Sequence, residues 1–219
     1  MMLNLELLHE LFSCCLWRGA LISLAIAFGG CLIGITLGTL LGLMLTSKNN
    51  LTRAAATLYV TLLRGTPMLI QISAFYFIMP ELGIAISAFW SAIVAIGLNS
   101  AAYISQVIKS GIQSVSKGQI EAAQVLGLSP TQVTRYLVLP QAIQVVLPAL
   151  GNEFITLVKD SSLASVIGVT ELSKEGSIFM SRTYDALTTY TGVALMYLLI
   201  TTTLTIGMHY LERRTKRPC

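Results

Sequence analysis

Five long apolar runs dominate this sequence, and each one restricts the backbone to structures that satisfy their own hydrogen bonds. They extend approximately from Leu21 to Leu45, Leu58 to Met79, Ile84 to Ile108, Ile143 to Ile167 and Tyr190 to His209. A helix crosses the bilayer with roughly 20 apolar residues, and every run meets that length. Composition agrees: 54% of residues are hydrophobic, only 11% are charged, and the mean hydropathy is +0.75. A soluble domain carries about 25% charged residues, so this chain could not clothe its core in polar surface. The expected fold is an all-α integral membrane protein of about five transmembrane helices. Its 219 residues form a single domain. Met1 to Leu16, with Glu6, His9 and Glu10 and no basic leading stretch, reads as part of an amphipathic segment over residues 1–18 at the membrane surface, not as a secretory signal.

Lysine and arginine orient the spans. With the N-terminus outside, the inner side holds Lys48, Arg53, Lys109, Lys117, Arg135, Arg213, Arg214, Lys216 and Arg217. The outer side then holds only Arg18, Lys174 and Arg182. That asymmetry places the C-terminus in the cytoplasm. The net charge of +4 calls for no nucleic acid, because a basic tail at the inner face meets anionic lipid. In the first span Gly30, Gly34, Gly38 and Gly42 recur every fourth residue, a stripe for close helix approach. Its partner is either another helix of the same subunit or a second subunit.

Between the third and fourth spans, on the inner side, residues 116–140 are polar and helix-forming. Glu121 to Leu126 contains good helix formers, and Gly127 suits the left-handed conformation that ends a helix. Ser129 is placed as an N-cap, Pro130 at the first helical position and Gln132 as the return arm of a capping box. Pro140 is expected to close this second helix. The segment is a helix, an elbow and another helix.

The order Glu121-Ala122-Ala123, Gly127 and Leu139-Pro140 resembles the coupling loop of the membrane subunits of bacterial ATP-binding-cassette importers. Four further stretches resemble the branch that carries histidine, glutamine, arginine and related substrates. They are Arg64-Gly65-Thr66-Pro67, Asn99-Ser100-Ala101-Ala102-Tyr103-Ile104, Leu150-Gly151-Asn152 and Lys159-Asp160-Ser161-Ser162-Leu163. The likeness covers about Gly19 to Arg214, with Ser161 standing where threonine is usual and Ala101 where many relatives have glycine. It implies a type I importer permease fold, with Glu121, Ala122, Ala123 and Gly127 as the positions that couple to an ATPase. Its implied partners are an ABC ATPase dimer, a second permease subunit (identical or paralogous) and an external substrate-binding protein. The cargo would be a polar amino acid, and ATP with magnesium would sit on the partner ATPase, leaving no cofactor on this chain. The location implied is the bacterial cytoplasmic membrane.

Charges inside the spans supply the candidate site. A charge at mid-bilayer costs roughly 2.5–3.5 kcal/mol, so Arg64, Glu153, Lys159 and Asp160 should face a cavity or one another. Pro67, Pro148 and Gly151 are expected to break the helices nearby, which is tolerated where backbone lines a cavity. An amino acid offers a carboxylate and an ammonium. Arg64 with Thr66 suits the carboxylate. Asp160 or Glu153 suits the ammonium or a cationic side chain, while Asn99, Tyr103 and Ser161 offer neutral hydrogen bonds. Pairing of Lys159 with Asp160, or of Arg64 with Glu153, is the structural alternative.

Other classes fit poorly. His9-Glu10 lacks the second histidine of a zinc protease, since Ser13 occupies that position, and Cys14, Cys15, Cys31 and Cys219 have no metal-ligand spacing. The sequence contains no Gly-Lys dipeptide and so no phosphate loop. The chain is therefore read as a transport subunit rather than an enzyme. A gradient-driven carrier or channel for small polar solutes is the competing reading, but it would have no use for the cytoplasmic elbow.

Overall fold

A computed structural model describes residues 5–215, and among them all regular structure is helical. The N-terminal helix α1 (Leu5–Leu11) passes through a widened π turn, Phe12–Leu16, directly into α2 (Trp17–Thr46). Glu6, His9 and Glu10 are exposed while Leu11 and Leu16 are fully buried. The buried face packs on α9 (Leu172–Thr183) and α10 (Ala186–Thr215), alongside Leu172, Phe179, Val193 and Met196. Gly192 admits Leu8 and Leu11 there.

The principal helix pair is α2 with α5 (Ala88–Gln113). The glycine stripe explains it. A Cβ on Gly38 would lie 2.8 Å from Cβ of Ile104, and one on Gly42 would lie 2.6 Å from Cβ of Ile108. Gly97 on α5 returns the contact against Ile33. The stripe thus packs within the subunit, and α5 becomes the central, most buried span. Lipid tails are as apolar as leucine, so this backbone approach, and not burial alone, holds the pair together.

The second predicted span is not one straight helix. α3 (Asn50–Gly65), capped by the Asn49 side chain on Leu51 N–H at 2.9 Å, ends at Thr66 and Pro67. From there α4 (Met68–Glu81) leaves at 101°. Proline drives its predecessor out of the helical region, and Thr66 sits at φ −118°, ψ 144°.

The other expected breaks do not occur. The stretch from Pro130 to Ile167 is one long helical run that includes α8 (Leu139–Asp160). Pro140 does not close a helix; it stands in the first turn of α8. The turn before it, Thr134–Val138, is widened to a π turn, with Leu139 N–H donating to Thr134 O. That wider turn gives the proline ring room where an ordinary turn would clash. Pro148 lies inside α8, as proline does in spans whose neighbours re-satisfy the freed carbonyl. Gly151 is a contact point against Met208 of α10 and not a break. Past Asp160 the helix tightens to a 3-10 turn over Ser161–Ile167 and ends at Gly168, φ 86°. By length and hydropathy the described residues offer four crossing helices, or five when the bent α3–α4 pair counts as one. Lys216, Arg217 and Cys219 lie outside the described residues.

Candidate functional site: a polar cavity at a broken span

Helical periodicity assembles the site. Glu153, Thr156 and Asp160 are spaced three and then four residues apart on α8, which puts them on one face. Asn99 and Tyr103 are four apart on α5. The end of α3 brings Arg64, Gly65, Thr66 and Pro67 against both faces. These residues, with Met68 and Leu163, line a cavity of about 550 Å³.

Six of the seven residues expected to meet substrate therefore share one cavity: Arg64, Thr66, Asn99, Tyr103, Glu153 and Asp160. Ser161 does not join them. It is fully buried, one residue past the α8 face, and donates to Val158 O at 2.8 Å. The Arg64 guanidinium lies over the Tyr103 ring, 4.9 Å from its centroid, a cation–π arrangement that holds the charge at the cavity wall. Glu153 Oε1 accepts from Ser100 Oγ at 2.9 Å. Among the described residues neither Lys159–Asp160 nor Arg64–Glu153 closes as an ion pair, whereas His209 Nδ1 does lie within 3.6 Å of Glu212 Oε2.

Sequence reasoning missed Thr156, Ser100 and Gln71. Thr156 could have been found from its spacing to Glu153 and Asp160. Gln71, a lone amide in the apolar stretch of α4, carries the signal of any polar residue in a span. It donates through Nε2 to Thr66 Oγ1 at 2.7 Å and accepts from Asn99 Nδ2 at 2.9 Å.

On the opposite flank α6 (Lys117–Val125) and α7 (Pro130–Val133) form the elbow. Gly127 has φ +84°, and its N–H donates to Gln124 O at 2.9 Å while Leu128 N–H donates to Ala123 O at 3.1 Å. This is a left-handed helix stop satisfying orphan carbonyls. Ser129 Oγ accepts from Gln132 N–H at 3.4 Å, and Gln132 Oε1 accepts from Ser129 N–H at 2.8 Å, completing the capping box. Glu121 and Ala122 are exposed and Ala123 is buried. Val125 and Leu126 stand 88% and 81% exposed, an apolar pair largely uncovered among the described residues. Gln141 Nε2 on α8 reaches Gln119 Oε1 on α6 at 3.3 Å, tying the elbow to the long helix.

A third polar group lies at the far end. Glu171, fully buried, caps α9 by accepting from the N–H groups of Ser173 and Lys174 at 2.9 and 2.8 Å. It also accepts from Tyr197 Oη at 3.1 Å and Ser23 Oγ at 3.3 Å, joining α2, α9 and α10. Burial pushes its carboxyl above the usual carboxylate range, against the pull of those four donors.

Comparison with known proteins agrees with this architecture. Residues 30–217 match the family of binding-protein-dependent transport system inner membrane components. The chain is 37% identical to the glutamine transport system permease protein GlnP of Escherichia coli K12, over 91% of this chain and 92% of that one. It is 38% identical to the probable amino-acid ABC transporter permease protein YckA of Bacillus subtilis, over 90% and 87%. Among solved structures, that of an amino acid ABC transporter with histidines superposes with a TM-score of 0.91 at 34% identity, covering 98% of this chain and all of that chain. The chain belongs to the family of binding-protein-dependent transport system inner membrane components, as a multi-pass ABC importer permease whose ATPase is a separate subunit.

Proposed function

We propose that this permease moves a polar amino acid inward through the cavity between α3, α5 and α8. The observation that carries this reading is chemical: one cavity offers a guanidinium, two carboxyl groups and neutral hydrogen-bonding side chains. An amino acid presents a carboxylate and an ammonium within a few ångströms, and few other small solutes need both signs together. Arg64 with Thr66 takes the carboxylate, and Glu153 and Asp160 take the ammonium or a basic side chain. Asn99 and Tyr103 complete the hydrogen bonds. The amino-acid cargo named for GlnP and YckA is consistent with this division.

The exposed elbow supports coupling to the ATPase, with Glu121, Ala122, Ala123 and Gly127 at the contact and Val125 and Leu126 as its apolar seat. ATP and magnesium sit on that partner. A second permease subunit, a copy or a paralogue, completes the path, and the binding protein delivers cargo near Glu81 and Glu171 to Asp185. The lysine and arginine asymmetry supports an outer N-terminus and a cytoplasmic C-terminus.

The test is uptake of labelled amino acids into vesicles holding this subunit, its ATPase and a candidate binding protein. ATP-dependent uptake of one polar class, abolished by Gly127→Asp, supports the reading. Uptake indifferent to ATP and to that change would return a gradient-driven carrier to consideration.

A further inference from the structure

Gln71 on α4 lies outside the residues assigned to substrate, yet it ties the end of α3 to α5 across one side of the cavity. Its Nε2 is within hydrogen-bond distance of Leu63 O at 2.8 Å, Thr66 O at 3.1 Å and Thr66 Oγ1 at 2.7 Å. Its Oε1 accepts from Asn99 Nδ2 at 2.9 Å, and the same Nδ2 reaches Leu63 O at 3.2 Å.

The chemistry of a broken span explains why an amide is needed here. The last carbonyls of α3 have no partner further along the helix, and Pro67 has no N–H to offer. In a membrane interior water does not make up the shortfall, so side-chain donors must. Gln71 and Asn99 supply them. An alanine, leucine or serine at position 71 could not span α3, α4 and α5 at once.

The brace also sets polarity. Three oxygens around one end of the Gln71 amide identify that end as nitrogen, which leaves Oε1 to face Asn99. Asn99 must then turn its own nitrogen toward Gln71 and Leu63. Among the described residues no donor reaches its Oδ1, which is the acceptor left for the cavity.

We infer that Gln71 is a positioning residue of the transport site, holding the bend that carries Arg64 and Thr66 and fixing the Asn99 amide with its oxygen available to a donor on the substrate. This rests on the amino-acid reading above. Gln71 itself makes no substrate contact; it acts through Thr66 and Asn99.

The experiment is ATP-dependent uptake of labelled glutamine and labelled arginine by the complete transporter in proteoliposomes. Wild type is compared with Gln71→Met, which keeps the length and removes the amide, with Asn99→Ala, and with the double variant. For the amino acid that wild type imports, Gln71→Met raises KM by about fivefold or more, with the maximal rate within about twofold. The KM defect of the double variant falls well short of the product of the two single defects, because the Gln71–Asn99 hydrogen bond is lost in both while the hold on Thr66 is lost only with Gln71. KM defects that multiply in the double variant, or a loss of rate at unchanged KM, overturn the inference. A second readout judges the brace without transport: thiol labelling at Ile72→Cys, fully buried beside Gln71 on α4, in a background whose native cysteines are replaced. Labelling there runs about fivefold or more faster when Gln71→Met is added, since the bend is then free to open; an unchanged rate overturns the inference. If wild type imports neither of these nor any other polar amino acid, the substrate reading fails while the labelling result still decides the brace. If Gln71→Met does not assemble with its ATPase, Gln71→Asn is read by the same two measurements.

Discussion

The Ser100 hydroxyl on α5 donates to Glu153 Oε1 on α8 at 2.9 Å, and it can do so only because Gly34 on α2 leaves room for it. A Cβ on Gly34 would lie 2.8 Å from Ser100 Oγ. A glycine that serves packing in one direction therefore sets a cavity carboxyl in the other. Ser100→Ala removes the donor and leaves the cavity shape intact. A hydrogen bond to a charged group is worth about 1.5–3 kcal/mol, so kcat/KM for uptake should fall by about tenfold or more. Uptake kinetics in proteoliposomes check this, and unchanged kinetics would remove Ser100 from the site.

Asp160 lines the same cavity, and among the described residues no ion-pair partner closes on it. Asp160→Asn keeps size and hydrogen bonding while removing the charge. Uptake at limiting substrate should drop by about tenfold or more if the carboxylate meets an ammonium or basic side chain. Normal transport by this variant would show that Glu153 alone does that work.

Packing of α2 on α5 gives a prediction independent of transport. Gly42→Ala would set a methyl group 2.6 Å from Ile108 Cβ and 3.0 Å from Ser105 O, where backbone must shift. Overpacking of this kind costs about 1–3 kcal/mol, seen as a lower melting midpoint in detergent. Gly207→Ala on α10 meets nothing within 4 Å and should melt at or slightly above wild type.

At the elbow, Gly127 holds φ +84° with open space around it, so any penalty there is conformational. Gly127→Val asks a β-branched residue to adopt a left-handed backbone, at a cost of about 1–3 kcal/mol. The span should still fold, but copurification of the ATPase with the permease should fall sharply. Retention of the ATPase would relocate the coupling contact.

Glu171 and Asp185 should respond to pH in opposite senses. Burial raises Glu171, so its stabilising contribution is complete below the ordinary glutamate range and is lost as pH rises. Asp185 is lowered by the Thr188 N–H and hydroxyl, at 3.0 and 2.7 Å, so its contribution holds above the ordinary aspartate range and is lost as pH falls. Glu171→Gln should accordingly gain melting temperature relative to wild type as pH rises from about 4 to 8, while Asp185→Asn should lose its deficit toward low pH.

What the sequence disclosed follows the reach of each interaction. The elbow at Gly127, Ser129 and Gln132 was legible because its caps join residues three or four apart. The cavity was legible because Asn99 and Tyr103, and Glu153 and Asp160, fall on helical faces and because charges in a span must gather. Pro140 misled, since whether a proline ends a helix depends on the turn before it, and no residue type announces a π turn. Pro67 was recognised as a breaker, but its 101° bend depends on what receives the freed carbonyls. That receiver is Gln71, assembled with Asn99 from 28 residues away. Glu171 was unreadable for the same reason, as its partner Ser23 is 148 positions distant.

The unbroken run from Pro130 to Ile167 has a further consequence. It begins at the elbow of α6 and α7 and carries Glu153 and Asp160 toward its other end. Thirty residues separate Pro130 from Asp160, about 45 Å at the helical rise. A tilt of about 5° pivoting at the elbow would carry Asp160 by about 4 Å over that length. The opposite wall hangs from the braced bend at Arg64 and Thr66. On the proposed coupling, this cavity works as a vice with one fixed jaw and one driven jaw, and the drive shaft of the second is a single helix.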